Sequence, residues 1–292
     1  MRKLKDVMRS PAAKAAVRLA LDEDLGTPWC DATSEALVDP AVVATGEIYS
    51  KAGGCVVSGT TVAAAVLKAV DPKIRVRILK PDGSFVKERE PLIEFRGKAR
   101  SILAAERTVL NFMQRMCATA TLAKKFVDAT RRYRTLILDT RKTTPGLRVF
   151  QKYAVTCGGG TNHRFGMFDR VLMKDNHRRL WKGGNPDALD EAVVAARKKF
   201  PKLAVEVEVE SLQECASALK ARPEWIMLDN MSCADMRTCV KMCRGKTKTE
   251  ASGGITLDRA REVAATGVTA ISLGCLTHSA GSVDLSLEWR AV

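Results

Sequence analysis

Polar residues able to hold a small anion crowd into three segments in the middle of this 292-residue chain. Arginine offers a planar fork that fits a carboxylate or phosphate, and lysine offers a compact point charge. Each segment follows an apolar run or a glycine turn, so its polar groups stand at the ends of structural elements. The pattern predicts a site for a small, multiply anionic ligand. The segments are Asp139-Thr-Arg-Lys-Thr-Thr-Pro-Gly-Leu-Arg148, Gly158-Gly-Gly-Thr-Asn-His-Arg164 and Lys174-Asp-Asn-His177.

Carboxylates at every second residue put Glu206, Glu208 and Glu210 on one face of a strand. On an exposed edge strand they would be ordinary surface decoration. A parallel strand covered on both faces would point them inward, where they need cations. We expect Glu208, near the strand's end, to bind a metal ion or a sugar. Asp229 ends the next strand, and two neighbouring carboxylates suit Mg²⁺. A helix cap is the competing interpretation of Asp229-Asn230.

A glycine turn, Ser252-Gly253-Gly254, follows a strand and opens a helix. Backbone N–H groups at such a helix start can cradle a phosphate, because no Cβ stands in the way. Gly pairs also make plain turns. The position in the penultimate βα loop, with Gly274 in the last one, matches the phosphate site of β/α barrels and favours phosphate binding.

Two of the three histidines, His163 and His177, lie in these polar clusters. A lone histidine is most often a core residue whose hydrogen bonds are satisfied within the protein. Here Arg164 follows His163 and Asn176 precedes His177, so we interpret both histidines as site residues. Cys157 is a weaker candidate, as a nucleophile, because no histidine or carboxylate follows in a triad-like order.

The elements that must position these residues change in character along the chain. From about residue 40 to 97, short β-type runs and one helix pattern predict a small α+β domain, and a long helix is expected from 101 to about 132. After that, apolar runs alternate with helix patterns, which is typical of βα units and a parallel sheet. Polar residues at the ends of successive parallel strands indicate the active face of a β/α barrel. The runs are 136–138, 171–173, 204–209, 225–228, 249–251 and 270–273.

Composition narrows the class of protein. With 46% hydrophobic and 28% charged residues the chain is globular rather than disordered, and its net charge of +15 suits a phosphorylated substrate, nucleic acid or a solvated basic surface. Aromatic residues are only 5%, which argues against a stacking platform for single strands. Nine cysteines without a CxxC pair indicate reduced, packing thiols. The basic start has no apolar stretch behind it and no run spans a membrane, so we expect a cytoplasmic protein.

The same residues resemble the quinolinate phosphoribosyltransferase family. The resemblance runs in order from about residue 104 to 278, with a weaker match before it. Its motifs are Asp139-Thr-Arg-Lys-Thr-Thr-Pro-Gly-Leu-Arg148, Lys152-Tyr-Ala-Val155, Gly158-Gly-Gly-Thr-Asn-His-Arg164, Lys174-Asp-Asn-His177, Glu206-Val-Glu208, Leu228-Asp-Asn230, Glu250-Ala-Ser-Gly-Gly254 and Gly274-Cys-Leu-Thr-His278.

The resemblance implies an α/β fold with an α+β part: an incomplete seven-stranded β/α barrel plus an N-terminal α/β sandwich domain. We expect the sandwich to span 1–112, completed by 278–292, and the barrel to span 113–277. The resemblance also implies a homodimer or a trimer of dimers with shared active sites, without nucleic acid or membrane partners. The implied reaction joins quinolinate to phosphoribosyl pyrophosphate with Mg²⁺, giving nicotinate mononucleotide, pyrophosphate and CO₂ in de novo NAD biosynthesis.

Residue roles follow from the resemblance as expectations. Binding of quinolinate's carboxylates is expected of Arg107 from the partner subunit, Arg141, His163 and Arg164. Phosphate binding and charge stabilisation are expected of Lys142, with Thr143 beside it, and of Lys174. Glu208 and Asp229 would hold ribose hydroxyls and Mg²⁺, in part through water. The 5′-phosphate is expected at Ser252, Gly253, Gly254 and Gly274, with His278 nearby.

One departure and two rival hypotheses remain open. Where the family usually has Ser-Gly, this chain has Met116-Cys117, so local packing or the partner contact is expected to differ. A related pyrophosphorylase using another aromatic acid, such as nicotinate, is the nearest rival. Against it, Arg107, Arg141 and Arg164 favour a dicarboxylate. A nucleic-acid-binding or regulatory protein is the other rival, which the basic charge suggests and the interspersed acids oppose.

Overall fold

The computed structural model describes residues 6–51 and 53–290. The chain forms two compact units: the first takes Met1–Lys124, Lys142–Gly159 and Cys275–Val292, and the second takes Lys125–Arg141 and Gly160–Gly274. These units are not the predicted domains, so the predicted domain boundary at residue 112 stays a prediction. The basic start of the chain, residues 1–5, lies outside the described residues.

The first unit contains a four-stranded antiparallel sheet and a separate two-stranded one. In the larger sheet the two central strands pair with each other, and the last strand of the chain joins one edge, so that Ile48 lies opposite both Ile93 and Leu287. The larger sheet has the order β12-β1-β5-β3 and the smaller one pairs β2 with β4. The strands are β1 (Val43–Ser50), β2 (Cys55–Val56), β3 (Arg75–Ile78), β4 (Phe85–Val86), β5 (Pro91–Lys98) and β12 (Leu285–Arg290).

Helices supply the rest of this unit's core. Three helices contribute Leu21, Leu67, Ile102 and Met113, which are fully buried in one hydrophobic cluster with the sheet residue Ile48. Most residues of the edge strand β3 are exposed. The helices are α1 (Pro11–Leu25), α2 (Ala32–Leu37), α3 (Thr60–Val70), α4 (Ala99–Thr130), of which this unit holds the part up to Lys124, α5 (Arg148–Cys157) and α11 (Cys275–His278).

The unusual Met116-Cys117 pair packs against the turn that starts α3. Cys117 Sγ accepts the Ser58 N–H at 3.3 Å and donates to the Ser58 carbonyl at 3.4 Å. Gly59 has φ +99°, and a Cβ there would lie 2.9 Å from Met116 Sδ. Both residues are buried. The Met116-Cys117 pair therefore lies in the packed interior of the first unit.

The second unit is a parallel sheet whose order is β6-β11-β10-β9-β8-β7. All five residues of the strand β8 are buried, as expected for a strand covered on both faces. The fold class predicted from sequence is confirmed: a barrel-like parallel sheet with helices, and a separate antiparallel sheet. The strands are β6 (Leu136–Leu138), β7 (Val171–Met173), β8 (Val205–Val209), β9 (Trp225–Asp229), β10 (Lys248–Ser252) and β11 (Ala270–Ser272).

A bridge next to β6 stands where a seventh strand would begin. Thr161 pairs in parallel with Leu138, its N–H donates to the Ile137 carbonyl at 2.8 Å, and its carbonyl accepts the Asp139 N–H at 3.2 Å. Within the described residues the sheet thus has six strands and one bridging residue beside them. Two of its backbone bonds hold the start of the Asn162-His163-Arg164 segment at the end of β6.

Short helices follow the strands of the second unit. Ser211 and Ser232 each accept the N–H of the residue three positions later, so they cap α8 and α9. The helix-cap interpretation of Asp229-Asn230 is therefore wrong, because Ser232 is the N-cap residue of the helix that follows. Among the described residues no helix has the length and apolar character to cross a bilayer. The helices are α6 (Asp175–Leu180), α7 (Leu189–Lys199), α8 (Leu212–Lys220), α9 (Cys233–Cys243) and α10 (Leu257–Ala264).

Candidate active site

The carboxyl ends of the parallel strands carry the predicted site residues of the second unit. Parallel strands end at one edge of a sheet, so residues that are distant in sequence meet there. Each strand end contributes at least one polar group or glycine. In strand order these are Arg141 after β6, Gly274 after β11, Ser252, Gly253 and Gly254 at β10, Asp229 at β9, Glu208 at β8 and Lys174 after β7, with His163 and Arg164 after the Thr161 bridge.

Two arginines at this edge lie close enough to repel each other. Arg164 is only 8% exposed. Burial lowers the pKa of its guanidinium, and the charge of Arg141 lowers it further. Its Nη1 donates to the Arg170 carbonyl at 3.1 Å, which fixes the direction of the side chain. Two neighbouring cations in a partly dry site are most stable when an anion with two negative groups lies against them.

A lysine and a glutamate from adjacent strands are already paired. Lys174 Nζ donates to Glu208 Oε2, and the Asp175 N–H lies 3.4 Å from Oε1 of the same carboxylate. Glu208 is 4% exposed, whereas Lys174 is exposed. Asp229 lies two residues beyond the strand position that pairs with Glu208, on the same face of the sheet. Carboxylates from neighbouring strands thus face the same side of this edge.

The glycine turn after β10 touches the end of β9. Gly253 has φ +92°, and a Cβ on it would lie 2.9 Å from the Asn230 backbone nitrogen. Asn230 in turn donates its N–H to the Ser252 carbonyl at 3.0 Å. Gly254 also has positive φ, +56°, but a Cβ there would meet nothing within 4 Å. Only glycine fits at Gly253, and the turn presents backbone to solvent at the start of α10.

Beneath the arginines lies a buried cluster that the sequence did not identify as a unit. His163 Nε2 is 3.2 Å from Glu206 Oε2 and 3.4 Å from Glu250 Oε1. Arg170 Nη1 donates to the same Glu206 oxygen at 2.9 Å. These three ligand-type residues could hold a metal ion by spacing alone. Arg170 already supplies a cation to Glu206, so we interpret the cluster as a group of buried ion pairs.

Protonation in this cluster is shared between two residues. Burial would lower the pKa of His163, yet the contacts with Glu206 and Glu250 outweigh it and raise that pKa to about 9. The Arg164 N–H, however, donates to His163 Nδ1 at 2.7 Å and requires a lone pair there. We therefore place no proton on Nδ1, because a protonated Nδ1 could not accept the Arg164 N–H. Burial, and then the charge of Glu206, raise the pKa of Glu250, which is the better place for the proton.

The prediction of three inward acids on β8 is partly correct. Glu206 and Glu208 are buried and paired with cations. Glu210 is exposed, and Arg178 lies 3.5 Å from its Oε2. His177 uses its Nδ1 to accept the Lys174 N–H at 3.1 Å, which is a local role at the start of α6. Neither Glu250 nor Arg170 was predicted as a functional residue, since single charges in an apolar run give no periodic signal.

The first unit carries the other predicted residues. The Thr277 hydroxyl donates to the Lys142 carbonyl at 2.6 Å, which ties the Lys142 loop to the residue before His278. Thr143 Oγ1 accepts from Arg148 Nε at 3.0 Å. Lys142, His278 and Arg107 are exposed, and Arg107 lies on α4. Burial raises the pKa of Cys157 to about 11, which argues against the interpretation of this thiol as a nucleophile.

The structure defines an α/β protein with a barrel-like parallel sheet and a second domain built on an antiparallel sheet. Family models of quinolinate phosphoribosyl transferase match almost the whole chain, the N-terminal domain at residues 31–117 and the C-terminal domain at 119–288. The chain therefore belongs to the quinolinate phosphoribosyltransferase family.

Known proteins resemble the chain over nearly its full length. It is 40% identical to nicotinate-nucleotide pyrophosphorylase [carboxylating] of Mycobacterium leprae, over 95% of this chain and 97% of that protein. It is also 40% identical to the chloroplastic enzyme of the same name from Oryza sativa subsp. japonica, over 94% of this chain and 77% of the relative. The solved structure of nicotinate-nucleotide pyrophosphorylase from Francisella tularensis has 38% identity and a TM-score of 0.88, covering 96% of both chains.

Proposed function

We propose that this chain is a pentosyltransferase that transfers the phosphoribosyl group of phosphoribosyl pyrophosphate to quinolinate and removes one carboxylate. The products are nicotinate mononucleotide, pyrophosphate and CO₂, which places the reaction in de novo NAD biosynthesis. Membership of the family and the names of its relatives support this activity. The structural observation that carries it is the position of Arg141, after β6, and Arg164, after the Thr161 bridge, at the same edge of the sheet.

A dicarboxylate is the acceptor that these arginines favour. A dicarboxylate can make a charge-assisted contact with each of the two guanidinium groups, whereas a monocarboxylate can make that contact with only one of them. We assign Arg141 and Arg164 to the two carboxylates of quinolinate. Arg107, supplied by a neighbouring subunit, is proposed to complete this binding, and His163 belongs to the same segment as Arg164.

The phosphorylated substrate is assigned to the remaining groups. Lys142, with Thr143, and Lys174 bind phosphate oxygens and the charge that develops on the leaving pyrophosphate. Glu208 and Asp229 accept hydrogen bonds from ribose hydroxyls. The N–H groups of the turn after β10 cradle the 5′-phosphate, as helix-start glycines do elsewhere. That set is Ser252, Gly253, Gly254 and Gly274, with His278 beside it.

Bond making and bond breaking need little covalent help from the protein. The pyridine nitrogen forms a bond to the anomeric carbon while the bond to pyrophosphate breaks through an oxocarbenium-like state. The protein aligns the nitrogen by holding the carboxylates, and it stabilises the leaving group with Lys142 and Lys174. The ring is then cationic, so it accepts the electron pair left by CO₂, and a proton replaces the lost carboxylate.

A magnesium ion fits the donor set of Glu208 and Asp229, since carboxylate oxygens plus phosphate oxygens are the ligands Mg²⁺ prefers. When bound, it supplies positive charge to pyrophosphate oxygens. Lys174 already pairs with Glu208. Direct coordination by Glu208 would displace that ammonium, so we assign the metal to Asp229 and, through water, to Glu208.

Assembly and compartment are part of the proposal. We propose a homodimer, or a trimer of such dimers, in which each site takes Arg107 from its neighbour. All nine cysteines are free thiols, which suits a reducing compartment such as the cytoplasm. The names of some plant relatives include the words chloroplastic or mitochondrial, so the cellular compartment differs among family members.

A panel of acceptors tests the proposed substrate. Purified chain is incubated with phosphoribosyl pyrophosphate, Mg²⁺ and either quinolinate or nicotinate, and mononucleotide formation is followed by chromatography. We expect turnover with quinolinate and at least a hundredfold lower kcat/KM with nicotinate, because nicotinate lacks the second carboxylate that the other arginine would contact. Preferred turnover of nicotinate would instead support the related pyrophosphorylase and remove the dicarboxylate assignment.

A further inference from the structure

Three buried thiols in the second unit have no part in the proposed function. Cys215 lies on α8, and Cys239 and Cys243 lie on α9, the helix that packs against α8. Cys215 and Cys239 expose no surface, and Cys243 exposes 1%. Buried cysteines usually serve as small apolar side chains. A chemical role for this cluster therefore needs evidence beyond burial.

Two of these thiols meet across the interface between the two helices. The Sγ atoms of Cys215 and Cys243 are 3.9 Å apart, a contact in which one thiol donates to the other. The sulfur atoms of a disulfide are about 2.05 Å apart, so each sulfur would have to move roughly 1 Å toward its partner. Rotation of the two side chains supplies a movement of that size. The pair is therefore placed to form a covalent bond without rearrangement of the fold.

The surroundings of the pair favour a thiolate at Cys243. The hydrogen bond from Cys215 lowers the pKa of Cys243, and the charge of Lys246 lowers it further, against the opposite effect of burial. The pKa of Cys215 is raised, because the sulfur atoms of Cys239 and Cys243 hold its proton. The thiolate is the nucleophilic form of cysteine. Cys243 is thus the thiol that reacts first, and Cys215 is the second partner.

Cys243 also borders a route from solvent. It lines an open cleft of about 810 Å³, together with Trp225 and Lys248. These two residues begin β9 and β10, so the cleft lies at the amino ends of the strands. A strand of five residues separates that edge from the carboxyl ends by about 13 Å. A small oxidant can therefore approach Cys243 without entering the proposed substrate site.

We propose that Cys215 and Cys243 form a modification site, at which a peroxide converts the two thiols into a reversible disulfide that joins α8 to α9. The Cys243 thiolate attacks one peroxide oxygen and becomes a sulfenic acid, and the other oxygen leaves as hydroxide and takes up a proton. The Cys215 sulfur then attacks the sulfenic sulfur, and the remaining oxygen leaves as water. The thiols lose two electrons and two protons, and one peroxide gives two waters.

Peptide mapping after peroxide treatment tests the site. Trypsin cleaves after Lys241, so Cys239 and Cys243 fall on the separate peptides 238–241 and 242–244, and Cys215 falls on 203–220. The reduced protein is treated with hydrogen peroxide, its free thiols are alkylated, and it is digested without reductant. We expect mass spectrometry to find 203–220 linked to 242–244. The link should be absent before treatment and should disappear after reduction.

Two cysteine variants and one exposed thiol serve as controls. Cys239→Ser keeps the pair and should form the same link, whereas Cys243→Ser should not. Oxidation of the exposed Cys30 shows that the peroxide has acted. If 203–220 is linked to 238–241 instead, the assignment of the pair is wrong. If Cys215 and Cys243 are both recovered in alkylated form while Cys30 is oxidised, the proposed site is wrong.

Thermal unfolding tests whether the disulfide fits the native fold. The bond would join residues 28 positions apart and would restrict the unfolded chain, so a bond without strain raises Tm. We expect peroxide treatment to raise the Tm of the wild type by about 3 °C or more relative to equally treated Cys243→Ser, which corrects for oxidation elsewhere. A linked wild type with an equal or lower Tm would show that the bond distorts the helices, and would overturn the proposal.

Discussion

Lys174 on one strand end donates a hydrogen bond to Glu208 on the next. The proposed function gives these residues different substrate groups, a phosphate for the ammonium and a ribose hydroxyl for the carboxylate. In the structure each of these two residues is the other's partner.

Because Glu208 and Asp229 lie at the ends of adjacent strands beside the glycine turn, we expect the enzyme to depend on Mg²⁺ for charge compensation at the pyrophosphate. Removal of divalent metal with EDTA should abolish product formation, and added Mg²⁺ should restore it. The measurement is the initial rate in metal-free buffer before and after readdition. Full turnover without divalent metal would eliminate the metal from the proposal.

Substitution of Gly253 should disrupt the phosphate turn, since a Cβ would press on the Asn230 backbone at a positive φ. We expect Gly253→Ala to lower the free energy of unfolding by about 3 kcal/mol or more and to raise KM for phosphoribosyl pyrophosphate. The adjacent Gly254→Ala meets no atom within 4 Å and should cost only about 1–2 kcal/mol. Urea unfolding of both variants measures the difference, and equal losses would refute the close-contact argument.

Loss of one arginine should weaken quinolinate binding selectively. Arg164→Ala or Arg141→Ala removes a charge-assisted contact worth about 1.5–3 kcal/mol, so KM for quinolinate should rise more than tenfold. Arg244→Ala, an exposed arginine after α9, provides a control of equal charge change. If Arg164→Ala binds quinolinate as the wild type does, Arg164 has no place in the proposed site.

Mixed dimers test the proposed sharing of sites between subunits. Arg107→Ala and Lys142→Ala should each be inactive alone. After verified subunit exchange between differently tagged variants, one site of each mixed dimer holds an intact Arg107 and an intact Lys142. Activity should then return to a substantial fraction of the wild-type rate. Correctly folded, exchanged heterodimers that remain inactive would argue for complete sites within one subunit.

The sequence predicted the parallel strands and their polar ends well, because both signals are local. The apolar run at 225–228 becomes Trp225–Asp229, and Asp229 ends it as expected. Period-two alternation also predicted correctly that Glu206 and Glu208 point inward. Contacts between segments that are distant in sequence were harder to predict. The pairing of Tyr49 with Ser286 joins the chain's last strand to its first, and no local pattern encodes such a partner.

The buried cluster shows most clearly what a sequence leaves out. Glu250 follows Thr249 in a short run and looks like a single surface acid, yet it is fully buried against His163. Two strands, β8 and β10, and the segment after Thr161 must come together before this cluster exists. His163 was predicted as a site residue from its polar neighbours, and only the structure shows that its ring lies against Glu206 and Glu250.

The central claim is that this chain couples phosphoribosyl transfer to loss of a carboxylate from quinolinate. Quinolinate labelled with ¹³C in its 2-carboxylate, incubated with phosphoribosyl pyrophosphate and Mg²⁺, tests both events at once. We predict that labelled CO₂ and unlabelled nicotinate mononucleotide appear in equal amounts, and that neither appears without phosphoribosyl pyrophosphate. A mononucleotide that retains the label, or labelled CO₂ released without mononucleotide, would contradict the claim.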